Sequence, residues 1–570
     1  MDKLERYRQA NAAVDGPNRL WPLYAAGLEN LGVNGEPLAV EMPSYGPDEL
    51  LVRHDAVGLC FSDIKVINLG QEHPRIFRDI QKEPVVLGHE VILTVIGVGE
   101  QLRGQYHPGD RYIVQAEIYK NGVNYAYGYM IQGGLSQYAV LDQRVLNGDH
   151  GCYLIPVQPE TGYAEAALAE PWACVTAAYG LKYRTEIKPG GTLWILGTPA
   201  AQNQNYTIGA GFDLECHPAR LLLTAVPEGF RTWLEAQAAA LGIDVIEVAD
   251  PSSPPVKEAD DIVVLGNDAD LIEMVSPHLA NFGVFAIIAD TPLPRKVNVD
   301  IGRVHYNRWV YVGSAGPDIA TAYADVPVRS ALAPGGVAWF IGAGGPMGRM
   351  HVQRAVQMPD GPATIVCTDV SDARLADLAE SFGGEAAAQG INFVCLNPSQ
   401  PQAQARLAEY QRAGFDDIVV LAPVPALIAD AATHLGRLGV MNVFAGVARG
   451  TTAALDLSEV YLRDVRVIGH SASAIDDLRT MLDLTEAGTL SPNRSVAAIG
   501  SLSAARDGYQ AVKDTRFPGK VVIFPNIDEM PLTALPDLKT ILPTVYARLK
   551  NGREWTRAAE EEFLRLMLPK

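Results

Sequence analysis

Two stretches of this chain repeat one another, and that repeat limits the folds open to it. Pro189-Gly190-Gly191-Thr192-Leu193-Trp194-Ile195-Leu196-Gly197 recurs as Pro334-Gly335-Gly336-Val337-Ala338-Trp339-Phe340-Ile341-Gly342. Asp260-Asp261-Ile262-Val263-Val264-Leu265 recurs as Asp416-Asp417-Ile418-Val419-Val420-Leu421. His278-Leu279 with Phe282-Gly283-Val284 answers His434-Leu435 with Leu438-Gly439-Val440, and Tyr311-Val312-Gly313-Ser314 answers Val467-Ile468-Gly469-His470. Matches in one order mean an internal duplication. Within each copy, short apolar runs alternate with helical stretches. That alternation predicts βαβ units and a parallel sheet covered on both faces. The expected fold class is α/β, with two tandem doubly wound domains at 186–328 and 329–480.

The second copy carries a phosphate-binding pattern. Its first strand runs into Gly342-Ala343-Gly344-Gly345-Pro346-Met347-Gly348, then a helical stretch, then a second apolar run ending Thr368-Asp369-Val370. Gly342 permits the sharp turn, and Gly344 lets a pyrophosphate approach the backbone. The helix N-terminus offers free N–H groups and a positive dipole end. Asp369 is placed to accept hydrogen bonds from a ribose diol and to repel a 2′-phosphate, which favours NAD over NADP. The candidate cofactor contacts are Gly342, Gly344, Gly345, Pro346, Met347 and Gly348, with Asp369, Val370 and Arg374 at the second strand end. The first copy reads Gly197-Thr198-Pro199-Ala200-Ala201-Gln202-Asn203, and Ala225 stands where the second has Asp369. It is either a decayed Rossmann-like copy kept for packing or a site for something else.

Residues 1–185 form a different region, rich in short strands broken by Gly and Pro turns, with an Ala-rich helix from Tyr163 to Tyr179. Residues 481–570 are expected to return to that region, through a buried strand at Lys520–Phe524 and a helical tail from Leu538 to Leu568. With 46 basic against 66 acidic residues, the net charge of −20 argues against nucleic acid or an anionic membrane as partner. The charged start Met1-Asp2-Lys3-Leu4-Glu5-Arg6 argues against a secretory signal, and no apolar run approaches a membrane span. The six cysteines lack CxxC spacing, so a reducing cytoplasm is expected.

The chemistry-bearing residues lie in the first region: Cys60 and Ser62 in Gly58-Leu59-Cys60-Phe61-Ser62-Asp63, His89 and Glu90 in Gly88-His89-Glu90, and Glu170 in Ala169-Glu170-Pro171. Singly, each has a bland reading: a buried thiol, a satisfied histidine, a helix cap. Together they supply one sulfur, one nitrogen and carboxylates, the donors of a catalytic zinc with an open coordination position.

These motifs, in this order, resemble the zinc-dependent medium-chain dehydrogenases, especially the polyol, sorbitol and threonine dehydrogenase branch. Gly109-Asp110-Arg111-Tyr112, Gly133 to Tyr138 and Gly342 to Gly348 extend the match over about 35–190 and 334–525. The resemblance implies a GroES-like β-rich catalytic domain joined to a Rossmann domain. It implies one catalytic zinc on Cys60, His89 and Glu170, with Glu90 a near or alternating ligand, and Ser62 handling the substrate proton. It further implies NAD, a small polyol or sugar substrate, free or phosphorylated, and a homo-oligomer. The chain departs from the family in several places. The first copy is an insertion, and Gln115 to Gly133 has no cysteine, so no structural zinc is expected. Leu93 replaces a glycine, and Lys65 and Val66 stand where an aromatic pair is usual. His73 to Lys82, with Arg75, Arg78 and Lys82, is either a solvated loop or a holder of an anionic group. Competing functions are a zinc lyase or isomerase that recycles bound NAD, and a sensor or scaffold built on the degenerate copy.

Overall fold

The computed structural model describes residues 3–10, 16–324, 329–527 and 529–569. Met1, Asp2 and the expected boundary at residue 328 lie outside these. The chain divides into two compact units. One is Met1–Thr176, Gly345–Met350 and Ser473–Lys570; the other is Ala177–Gly344 and His351–Ala472.

The first unit is built on an eight-stranded sheet. In chain order its elements include β1 (Leu50–Gly58), α1 (Phe61–Leu69), β2 (Glu90–Val98), β3 (Arg111–Val114), β4 (Tyr138–Leu141), β5 (Leu154–Pro156) and α2 (Ala169–Ala177). All nine residues of β1 are buried, although it reads Leu-Leu-Val-Arg-His-Asp-Ala-Val-Gly. Its charged members pair with one another, although Arg53 Nη2 is buried without a partner. Arg53 Nε donates to Asp55 Oδ1 at 2.7 Å, and Thr94 Oγ1 donates to Asp55 Oδ2 at 2.5 Å. β1 pairs antiparallel with β2 in a register that sets Gly58 opposite Glu90.

The second unit holds two six-stranded parallel sheets. The first contains β6 (Thr192–Gly197), β7 (Arg220–Thr224), β8 (Asp244–Glu247), β9 (Ala259–Leu265), β10 (Leu279–Ile288) and β12 (Val310–Ser314), in the order β8-β7-β6-β9-β10-β12. Between its last two members runs β11 (Val297–Asp300). The second sheet contains β13 (Val337–Ile341), β14 (Thr364–Thr368), β15 (Asn392–Leu396), β16 (Phe415–Val420), β17 (Leu435–Val443) and β19 (Arg466–Ile468), in the order β15-β14-β13-β16-β17-β19. Its counterpart of β11 is β18 (Thr452–Leu455). Both orders are the 3-2-1-4-5-6 of a dinucleotide-binding fold. The fold is thus α/β with two Rossmann-like copies. The likeness reaches backbone detail: Phe282 and Leu438 are both left-handed at φ 59° and 61°, and Arg308 and Asp464 at 52° and 58°. The copies meet through β11 and β18, paired antiparallel with Asn298 opposite Ala454.

The chain returns to the first unit through β20 (Val496–Ser501), α4 (Ala505–Lys513) and β21 (Lys520–Phe524). Here α3 names the helix Pro346–Gln357 of the second copy. β21 joins β1 antiparallel, so the sheet's centre is made from the two ends of the sequence. The tail helix α5 (Arg557–Met567) packs on the same unit. Its buried Glu560 accepts from the backbone N–H groups of Tyr163 and Ala164 at 2.5 and 2.8 Å, closing the N-terminus of the short helix there.

Candidate active site

Three sequence-expected side chains converge at the end of β1 and the start of β2. Cys60 ends the turn after β1, Glu90 begins β2, and His89 precedes it. One donor atom from each lies within 4.8 Å of the others, the group of this kind found among the described residues. Glu170 stands outside this set. Its carboxyl is nonetheless close: burial, the largest cause, pushes it up to about 7, with His89 and Lys520 opposing and Glu90 and Glu117 adding to the rise. Glu90 is thus grouped with Cys60 and His89, while Glu170 acts on the same site electrostatically.

The surroundings explain why these donors face one another. A Cβ on Gly58 would overlap Glu90 Oε2, so only glycine leaves room for that carboxylate. Lys520, at the start of β21, forms a buried ion pair with Glu90 Oε1. Burial alone would lower the Lys520 ammonium; the Glu90 carboxylate and the Cys60 sulfur hold it above its ordinary range. Glu90 Oε2 is buried without a hydrogen-bond partner. The Glu90 carboxylate, one oxygen of which is an orphan, lies by a thiol and an imidazole, an arrangement that is costly unless it meets a cation. The S, N, O set suits zinc, so the residues fit the metal the motif implies.

His89 is held in a carboxylate–histidine arrangement of the kind that orients metal ligands. Its Nδ1 meets Asp63 Oδ1 at 3.0 Å, and Tyr509 on α4 donates to Asp63 Oδ2 at 3.0 Å. Burial would lower the imidazole, but Asp63 and Cys60 raise it well above its usual range. Nε2 is left toward the site, 3.3 Å from Ser62 Oγ. Asp63, Tyr509 and Lys520 are functional neighbours that motif reading did not assign. Only Asp63 had a local signal, as the acid ending the Cys60 loop.

The loop from His73 to Lys82 is solvated at Pro74, Phe77, Asp79, Gln81 and Lys82 and pinned through its other side chains. Arg78 donates to the carbonyl oxygens of Met130, Pro84 and Tyr129 at 3.3, 3.2 and 3.1 Å. Arg75 pairs with Glu117 at 2.7 Å, and Lys82 with Asp79 at 3.0 Å. The cysteine-free stretch beyond Gln115 is closed by hydrogen bonds, with Asp149 accepting from the N–H groups of Asn121 and Gly122 at 2.7 Å each.

In the second copy, Gly342 is left-handed at φ 81° and leads the chain off β13. The N–H groups of Gly342 and Ala343 donate to Thr368 O at 2.9 and 3.0 Å, and that of Gly344 to Asp369 Oδ2 at 3.0 Å. A Cβ on Gly344 would come within 2.5 Å of Arg374 Cβ and 2.9 Å of Asp369 Oδ2. Pro346 and Met347 open α3, which continues through Gly348; Gly345 precedes it. Asp369 Oδ1 lies 4.0 Å from Arg374 Nη1, and Val370 is 77% exposed. In the first copy only a single turn, Pro199–Ala201, follows β6. There Gln202 Nε2 donates to Ala225 O at 2.7 Å, and Thr198 Oγ1 to Leu265 O at 2.8 Å.

Fold and site together define an oxidoreductase of the zinc-type alcohol dehydrogenase class. Residues 46–147 match the alcohol dehydrogenase GroES-like domain. The chain is 23% identical over 541 residues to mannitol-1-phosphate 5-dehydrogenase of Aliivibrio fischeri, covering 92% of this chain and 93% of that protein. It is 29% identical over 167 residues to L-sorbose 1-phosphate reductase of Klebsiella pneumoniae, covering 27% of this chain and 40% of that one. The crystal structure of 2R,3R-butanediol dehydrogenase from Bacillus subtilis superposes with a TM-score of 0.50 at 15% identity, over 89% of this chain and 100% of that one. In the GroES-like domain and in the order of its motifs the chain is similar to the zinc-dependent medium-chain dehydrogenases. No helix of the described residues is long and apolar enough to cross a membrane.

Proposed function

We propose that this protein is an NAD-dependent zinc polyol dehydrogenase, moving a hydride between the nicotinamide and a secondary alcohol carbon of a polyol, sugar or sugar phosphate. The observation that carries this reading is the convergence of Cys60, His89 and the Glu90 carboxylate, with the Ser62 hydroxyl on the imidazole of His89. The names of two relatives, a mannitol 1-phosphate and an L-sorbose 1-phosphate enzyme, support a polyol or sugar phosphate as substrate.

Cys60, His89 and Glu90 would hold one zinc per chain, with Glu170 near enough to exchange for Glu90. The metal would supply Lewis acidity that makes an alcohol easier to deprotonate. Ser62 would take the alcohol proton, since its Oγ sits on the site side of His89. Asp63 fixes the His89 ring so that Nε2 stays directed at the site. The second Rossmann copy would receive the cofactor, with its pyrophosphate against Gly342 to Gly348 and its adenosine ribose on Asp369. The cofactor would supply the hydride acceptor, and Ser62 would relay the alcohol proton toward water.

Metal analysis of purified protein with an NAD-coupled screen of polyols and their phosphates tests this. One zinc per chain is expected, with NADH formed on a polyol or its phosphate. Cys60→Ala is expected to abolish turnover while NADH binding persists. Two zinc ions per chain, or full turnover in Cys60→Ala, would refute the assignment.

A further inference from the structure

Beside the metal donors lies a polar wall that the mechanism leaves unused. Arg75 Nη2 donates to both oxygens of Glu117, at 2.8 and 2.7 Å, and lies 3.4 Å from Asn124 Oδ1. Asn124 Nδ2 donates to Glu117 Oε2 at 2.6 Å. Both charged side chains keep about a third of their surface, 34% and 35%, unlike the nearly buried Lys520–Glu90 pair. Arg75 bonds through Nη2 alone, so Nε and Nη1 remain as donors, and Glu117 and Asn124 set acceptors beside them.

The wall is linked to the metal donors through Tyr129. The Arg75 guanidinium stands 4.9 Å over the Tyr129 ring. That ring lies 6.1 Å from the ring of His89, and the Tyr129 hydroxyl lies beside Ser62. Glu117 is also among the charges acting on the Glu170 carboxyl.

We propose that Arg75, Glu117 and Asn124 read the hydroxyl groups next to the reacting carbon and so select polyols over simple secondary alcohols. This rests on the dehydrogenase reading above. A hydroxyl both donates and accepts, and a neutral ion pair with donor and acceptor adjacent satisfies both roles at once. A phosphate dianion placed there would meet the Glu117 carboxylate, so a phosphorylated end would have to lie elsewhere. Sites that hydrogen-bond a substrate hydroxyl reject analogues lacking it, because their polar groups are then left unmatched.

The test compares kcat/KM for a six-carbon polyol, its 1-phosphate and 2-butanol in the wild type, Arg75→Met, Arg75→Lys and Glu117→Gln. The wild-type ratio of polyol to 2-butanol is expected to fall by roughly 10- to 100-fold in Arg75→Met and Glu117→Gln, the worth of a charge-assisted hydrogen bond. Arg75→Lys keeps the charge and should restore part of the ratio. A wild type indifferent to the extra hydroxyls overturns the proposal. So does an equal loss on polyol and 2-butanol, which would make the pair a staple of the loop only. Loss confined to the phosphorylated substrate would make Arg75 a phosphate reader and also overturn it. Calorimetric binding of the polyol separates the two readings. Polyol binding that Arg75→Met weakens, without NADH formation in the wild type, leaves the wall standing and sinks the dehydrogenase. Absence of both sinks both.

Discussion

Asp63 touches no substrate, yet it fixes the His89 ring between its own carboxylate and the site. It is fully buried and takes a second hydrogen bond from Tyr509. Outer partners of this kind typically change metal affinity by about 10- to 100-fold when altered. Asp63→Asn keeps the shape but removes the charge, so weaker zinc retention by that factor is expected in competition with a chelator. Unchanged retention would show that the carboxylate does not tune the ligand. Cys60, Ser62, His89 and Glu90 were legible because each lies in a short contiguous motif. Lys520 and Tyr509 were not, since they reach the site from β21 and α4, more than four hundred residues along the chain from their partners. No local pattern in a strand reading Lys-Val-Val-Ile-Phe says that its first side chain will clamp a carboxylate. How Glu90 sits against Cys60 and His89 was equally beyond motif reading. It depends on the room left by Gly58 across the β1–β2 register.

At the level of elements, periodicity found the strands of both copies, because a doubly wound sheet repeats its apolar runs. It did not show that the helix after β6 is replaced by the single turn Pro199–Ala201, since that depends on Thr198 and Gln202 bonding back to the neighbouring strand ends. The tail was legible as helix only in part, since 547–556 is non-helical, and its attachment was not legible at all. That attachment is Glu560, which caps the helix at Tyr163 and meets Trp555 Nε1 at 3.4 Å. Burial is the largest influence on Glu560 and pushes its carboxyl up to about 7, against the pull of the Ala164 and Tyr163 N–H groups. A carboxyl raised in the folded state binds its proton more tightly there than in the unfolded chain. Its stabilising contribution is therefore full below the ordinary carboxylate range and is lost as pH rises toward 7. Melting curves between those limits should show wild-type stability falling with pH through this group. Glu560→Gln, which cannot titrate, should flatten that slope, and an identical slope in the variant would remove Glu560 from the account.

In the whole molecule, the two Rossmann copies are related as partners in a two-fold dimer would be. Contacts across their junction come in exchanged pairs, the mark of a self-complementary interface. Val297 pairs with Leu455, and their counterparts Ala453 and Val299 pair with each other, which puts Asn298 opposite Ala454 at the centre. A Cβ on Gly313 would press on Tyr461, and one on the equivalent Gly469 would press on His305, the equivalent of Tyr461. Gly302 packs against Ala448 and Arg449, while Ser458, the equivalent of Gly302, bonds the N–H of Leu293, the equivalent of Arg449. Such pairing preserves the first copy's core and edges under selection for packing alone, whatever becomes of its turn. The turn has changed. Where the second copy has Gly344 the first has Pro199, and Ala225 stands in place of the Asp369 carboxylate. Gln202 already occupies the Ala225 carbonyl at that strand end. Titration calorimetry with NADH should accordingly give one site per chain. Gly344→Val, whose side chain would meet Arg374 and Asp369, should remove that site, whereas Pro199→Gly in the first copy should leave the stoichiometry unchanged. Two equivalent sites, or binding that survives Gly344→Val, would mean that the first copy binds the dinucleotide and that its altered turn is no bar to a pyrophosphate.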